Sequence, residues 1–217
     1  MSQICLTRLK ADLSQFYNNP PFGIHLHYQE NNFTEIHALI IGPKDTPYEG
    51  GFFYFILNIP FDYPMNPPKV TLQTTGLDAG RFDPNLYNCG KVCLSILGSW
   101  SGSGWSPDLS ILTVLISIQS SLNEEYYYNE QGYGSDEYYK AVCNKIIYAV
   151  GDMLDRSTPM PNELFDIAKH YFLKNYYFYT NVCQKYPILH SQFWRLDELC
   201  KKFLKLDLCD ELTLMDL

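Results

Sequence analysis

The residues best equipped for chemistry fall in one irregular stretch, where Asp83-Pro84-Asn85 is followed by Cys89-Gly90-Lys91-Val92-Cys93-Leu94-Ser95. A thiolate is a nucleophile, and a Cys with a pKa of roughly 8.5 is a few per cent ionised near neutrality. Hydrolysis through Cys93 would need a nearby base. No His lies between His37 and His170, so His170 or His190 would have to fold back onto it. Taken alone, Cys93 reads first as an ordinary buried thiol, and Asn85 as a turn residue. Cys89 precedes Cys93 by four residues. Structural zinc needs four ligands and no matching second pair is visible, so no metal and no cofactor is expected. His25 and His27 share one strand face, where they could chelate or simply form a polar surface.

The elements around this stretch can be read from periodicity. Leu6, Leu9, Leu13 and Phe16 recur at helical spacing over 4–18, and Pro20-Pro21 ends that helix. The period then falls to two. Ile24, Leu26 and Tyr28 alternate with polar residues, followed by Ile36, Ala38 and Ile40, then Phe53, Phe55, Leu57 and Ile59, then Val70, Leu72 and Thr74. Short turn-rich connectors argue for an antiparallel meander. A helix is predicted over 106–123, with Ser106 as cap and Pro107 in its first turn. Further helices are predicted over 136–154, 162–185 and 193–206. The fold class is α+β: a four-stranded antiparallel sheet with helices on one side and at the ends. The core spans 1–155, and 156–217 adds C-terminal helices.

Composition narrows the function. The 217 residues are 46 % hydrophobic and 18 % charged, a globular balance. A formal net charge of -8 repels phosphate backbones, so nucleic acid is not an expected partner. Arg8 and Lys10 are one candidate for a local basic patch. The odd count of seven Cys, in a chain this long, suits free thiols in the cytosol or nucleus. Arg8, Lys10 and Asp12 interrupt the first residues, unlike a signal peptide. No stretch approaches the roughly 18 apolar residues that span a bilayer, so no membrane is expected either.

Several motifs, in order and spacing, resemble the ubiquitin-conjugating enzyme family over about residues 4 to 155. These are Gly42-Pro43, Thr46-Pro47-Tyr48-Glu49-Gly50-Gly51, Asp62-Tyr63-Pro64-Met65-Asn66-Pro67-Pro68, Asp83-Pro84-Asn85, Val92-Cys93-Leu94 and Trp105-Ser106-Pro107. Thr75-Gly76, Gly90 to Gly98, the long loop to Trp105, and Asn129-Glu130 resemble the Z subgroup of that family. The resemblance implies that Cys93 accepts ubiquitin or a ubiquitin-like modifier as a thioester from an activating enzyme, and passes it to a substrate lysine or a ligase. It implies that Asn85 donates its amide to the developing oxyanion. It assigns Asn129 to orienting the amine, where many members carry Asp; Asn cannot act as a base but can hydrogen-bond. Met65, Ser106 and Pro107 fall in loops that meet ligases, and Arg8 and Lys10 in the first-helix contact with the activating enzyme. It also implies an open sheet face, carrying His25 and His27, that binds a second modifier molecule. Trp100 in the extra loop either gates the site or packs.

The chain departs from the family at Asp83, where the usual residue is His. Asp can make a comparable local hydrogen bond to the backbone. This departure keeps a rival in view: an inactive relative that binds the modifier as an interaction module.

Overall fold

A computed structural model describes residues 2–74, 82–123 and 136–215, with side chains for all of these but 136–139 and 206–215. Helix α1 (Gln3–Asn18) is capped by Ser2, whose side chain accepts the Cys5 N–H. It buries Cys5, Leu9, Leu13 and Phe16. Strands β1 (Ile24–Gln29), β2 (Asn32–Ile41), β3 (Phe52–Asn58) and β4 (Lys69–Leu72) form one antiparallel sheet in sequential order. The register joins the alternating residues. Ile24 opposes Ile40, Leu26 opposes Ala38, Ala38 opposes Phe55, and Phe55 opposes Leu72. Period-two burial therefore sets the pairing, because a one-residue slip would turn this set toward the other face.

Helix α2 (Ile111–Ser121) starts later than its sequence pattern suggests. Ser110, not Ser106, is the cap, and it forms a reciprocal capping box with Thr113. The reason lies in Arg8. Its guanidinium donates to the carbonyls of Pro107 at 2.5 Å and Leu109 at 2.6 Å, which holds 106–109 as a turn closed by Leu109 N–H to Ser106 O. Among the described residues, four more α-helices follow: α3 (Asp136–Leu154), α4 (Asn162–Lys174), α5 (Tyr176–Lys185) and α6 (His190–Met215). The single helix expected over 162–185 is two. The Asn175 side chain donates back to the Tyr171 carbonyl, and its backbone leaves the helical region. Such local bonds compete with helix continuation. The last helix is also longer than its predicted span at both ends.

The sheet is covered on both faces, not one. Phe53 packs edge-on against Phe82. Its neighbour Phe52, pointing the other way, meets Tyr171 of α4 and Tyr179 of α5. On that second face Leu39 and Tyr54 are also buried. Helix α6 is tied to α3 by Arg195, which lies 2.7 Å from Asp152 and 2.5 Å from Asp155. Apolar residues of α4, α5 and α6 belong to the same buried cluster as the sheet. Among the described residues, no helix is long and apolar enough to cross a membrane.

Candidate active site

Residues 82–99 build a small hairpin at the sheet edge. Asp83 and Pro84 occupy the positions where a β-turn favours them, and the turn closes with Leu86 N–H to Asp83 O at 3.0 Å. The Asp83 side chain adds the local bond that the sequence suggested, with Oδ1 accepting the Asn85 N–H at 2.8 Å. Leu86 then bridges to Val92, and Tyr87 N–H reaches Lys91 O. The same register sets Asn85 opposite Cys93, and the Cys93 N–H donates to the Asn85 carbonyl at 2.8 Å.

Gly90 makes the hairpin possible. Its φ is +86°, and its carbonyl accepts the Leu72 N–H of β4. A Cβ there would lie 2.8 Å from Leu72 O and 2.9 Å from Thr71 Cγ2. After Cys93, the Ser99 hydroxyl accepts the Leu94 N–H and reaches the Val92 carbonyl at 2.9 Å, folding the loop back on the cysteine segment.

Two features of the pair bear on chemistry. Cys93 is 2 % exposed, so the thiol that a thioester carrier would use is nearly covered. Asn85 is 8 % exposed, and its Nδ2 is buried without a hydrogen-bond partner among the described residues. An unpaired buried donor costs about 1–3 kcal/mol. Native folds keep few of them, and a retained one asks for an explanation.

The predicted ligase-facing loops are brought together by a buried network that sequence reasoning missed. Asp12 of α1 is 4 % exposed. It accepts from Arg8 Nε at 2.7 Å, from the Tyr63 hydroxyl, and from the Ile111 N–H at 3.4 Å. Trp105 Nε1 donates to Pro64 O at 2.6 Å. Met65 (67 % exposed) and the exposed Pro107 are thus held from below by one set of polar contacts, with Ser106 half-buried beside them. Burial and the Asp12 bond push the Tyr63 hydroxyl well above the ordinary tyrosine range. The only sequence sign of this network was the Arg8–Asp12 spacing of four on a helix.

Arg8 is committed to that network, whereas Lys10 on the same helix is exposed. Asn129, Thr75 and Gly76 lie outside the described residues. Cys89 is exposed. Among the described residues, no group of three or more His, Cys, Asp or Glu could hold a metal ion. The sheet face of His25 and His27 is not open, contrary to expectation. His27 lies 3.3 Å from Glu163 of α4, and its cross-strand neighbour His37 bonds Tyr54 at 2.7 Å and Glu35 at 3.1 Å. Burial lowers the pKa of His25, and of His37 against the opposing pull of Glu35. Trp100 is largely exposed.

An edge-paired hairpin presenting Asn and Cys beside a four-stranded meander defines a class. The family model described as "Ubiquitin-conjugating enzyme" matches residues 8–149, and the chain belongs to that family. It is 45 % identical over 199 residues to Ubiquitin-conjugating enzyme E2 Z of Danio rerio, covering 88 % of this chain and 61 % of that protein. It is 46 % identical over 196 residues to the protein of that name from Homo sapiens, covering 87 % of this chain and 55 % of the relative. The chain thus spans a little over half the length of these relatives. A solved structure of human Ubiquitin-conjugating enzyme E2 G1 aligns with a TM-score of 0.47 at 34 % identity, covering 55 % of this chain and 94 % of that one.

Proposed function

We propose that this chain accepts ubiquitin or a ubiquitin-like modifier from an activating enzyme as a thioester on Cys93, and transfers it to a substrate lysine or to a ligase. The observation that carries the reading is the pairing of Cys93 with Asn85, whose buried Nδ2 has no protein partner among the described residues. When an amine attacks a thioester carbonyl, negative charge grows on the carbonyl oxygen. A preorganised neutral N–H at that point lowers the barrier without having to reorient. Acceptance of the modifier is thiol exchange: the thiolate displaces another thiolate, and one thioester replaces another. This step needs no strong base.

Asp83 supports an active enzyme over a binding module, because its side chain closes the turn that presents Asn85. Met65 and Pro107 are suited to meet a ligase. With Arg8 occupied internally, the exposed Lys10 is the first-helix cation suited to meet the activating enzyme. The protein would work in the cytosol or nucleus. The test is a charging assay with ubiquitin, magnesium ATP and activating enzymes, resolved with and without reductant. A reductant-sensitive adduct is expected for the wild type and for Cys89→Ala, and none for Cys93→Ala. An adduct that survives in Cys93→Ala would remove Cys93 from the mechanism.

A further inference from the structure

The contacts that orient Asn85 begin outside the hairpin. Tyr48 stands 35 residues before Asp83 in the chain, and both are fully buried. Its hydroxyl donates to Asp83 Oδ2 at 2.9 Å, while Asp83 Oδ1 accepts the Asn85 N–H at 2.8 Å. The Asn85 carbonyl in turn accepts the Cys93 N–H. One line of hydrogen bonds therefore runs from Tyr48 through Asp83 and Asn85 to Cys93.

The Tyr48 end of that line is anchored. Gly51 N–H donates to the Tyr48 carbonyl and Gly42 N–H to the Gly51 carbonyl. A Cβ at Gly42 would stand 1.7 Å from the Tyr48 carbonyl oxygen, so the two backbones are in direct contact. The Tyr48 ring meets Phe53 edge-on. A carboxylate withdrawn from water needs its acceptor sites filled. One oxygen suffices to close the turn at Asp83. The second, held by Tyr48, stops the carboxylate rotating and so fixes the plane in which the Asn85 backbone sits.

We infer that Tyr48 is a positioning residue for acyl transfer, holding Asp83 so that Asp83 holds the Asn85 amide against the reacting carbonyl. This inference rests on the function proposed above and goes beyond it. Tyr48 acts through Asp83, to which its hydroxyl donates. Its effect belongs to the step that uses the Asn85 side chain.

The experiment is single-turnover kinetics on Tyr48→Phe, Asp83→Asn and the double variant, with loading and discharge to free lysine measured separately and melting temperatures recorded alongside. Tyr48→Phe keeps the ring and removes one charge-assisted hydrogen bond. Discharge should fall about tenfold, in kcat and not in KM for lysine, while loading falls about twofold at most. Asp83→Asn keeps an oxygen for the Asn85 N–H and offers an NH2 to the Tyr48 oxygen, so discharge should stay within about threefold. In the double variant that NH2 loses the hydroxyl, and discharge should fall below the product of the single effects. The inference is overturned if Tyr48→Phe discharges like the wild type, if it slows loading and discharge equally, or if the double variant is strictly additive. A wild type that never loads would overturn the underlying function and this inference with it.

Discussion

Replacing Asp12 by Ala removes the acceptor shared by three donors. Arg8 is partly exposed and can turn to water, so its loss is small. The Tyr63 hydroxyl and the Ile111 N–H are buried and cannot. Each orphaned buried donor costs about 1–3 kcal/mol, and breaking a buried charged contact as a whole costs about 3–5 kcal/mol. We take about 4 kcal/mol. For a chain of this size, each kcal/mol lowers Tm by roughly 2–4 °C, so Asp12→Ala should melt about 10 °C lower. Asp12→Asn keeps one acceptor oxygen for Tyr63 and should lose about half as much. Tyr63→Phe should lose less again, since Arg8 still satisfies the carboxylate. Because the network joins α1, the Met65 loop and the Pro107 turn, ligase-dependent discharge should suffer more than loading of Cys93. Thermal melts followed by charging and ligase assays test both parts. An Asp12→Ala melt within about 2 °C of the wild type would refute the claim that this network holds the loops.

Two further outcomes follow from the same geometry. Gly90→Ala combines a positive φ with a backbone clash at β4 and should melt about 5–10 °C lower with slowed loading. Gly98→Ala has a φ of +68° but nothing within 4 Å of the new Cβ, so it should lose only about 1 kcal/mol. Calorimetry that finds equal losses would argue against the Gly90 contact. At alkaline pH the sign is fixed by tyrosines whose folded pKa is raised. Burial, with Glu35 adding to it, pushes Tyr54 up to about 12, and burial also raises Tyr63, Tyr176 and Tyr179. Below about pH 10 both states keep these protons and stability is unaffected. Above it the unfolded chain releases them first, so stability falls as pH rises toward the folded values. Melts from pH 8 to 12 should fall steeply past pH 10, and less so for Tyr63→Phe; a flat profile would contradict the burial of these hydroxyls.

How much of this was legible in the sequence follows from the range of the forces involved. The four strands were readable because alternate burial leaves a period of two, and Ile36, Ala38 and Ile40 pair where that period puts them. The break at Asn175 was hidden, since apolar spacing continues from α4 into α5 and the first helix ends at local bonds of Asn175 to its last turn. The late start of α2 depends on Arg8, about a hundred residues away, taking carbonyls that a helix would use. The second sheet face was expected open from the resemblance, and a polar strand face suits water, yet Glu163 of α4 meets His27 there. At the site, Asp83, Asn85 and Cys93 are near in sequence and their turn follows from local rules. The Tyr48 and Asp12 partners are long-range contacts and leave no periodic trace.

The most direct test of the account is single-turnover discharge of Asn85→Ala charged on Cys93, set beside its rate of loading and its melting temperature. An oxyanion donor lost should slow discharge on the order of 100- to 1000-fold and slow loading less. Because Asn85 Nδ2 is buried and unpaired among the described residues, its removal should leave Tm unchanged or raise it. If the variant instead loses stability and slows loading and discharge alike, Asn85 only shapes the turn, and the account of the site is wrong.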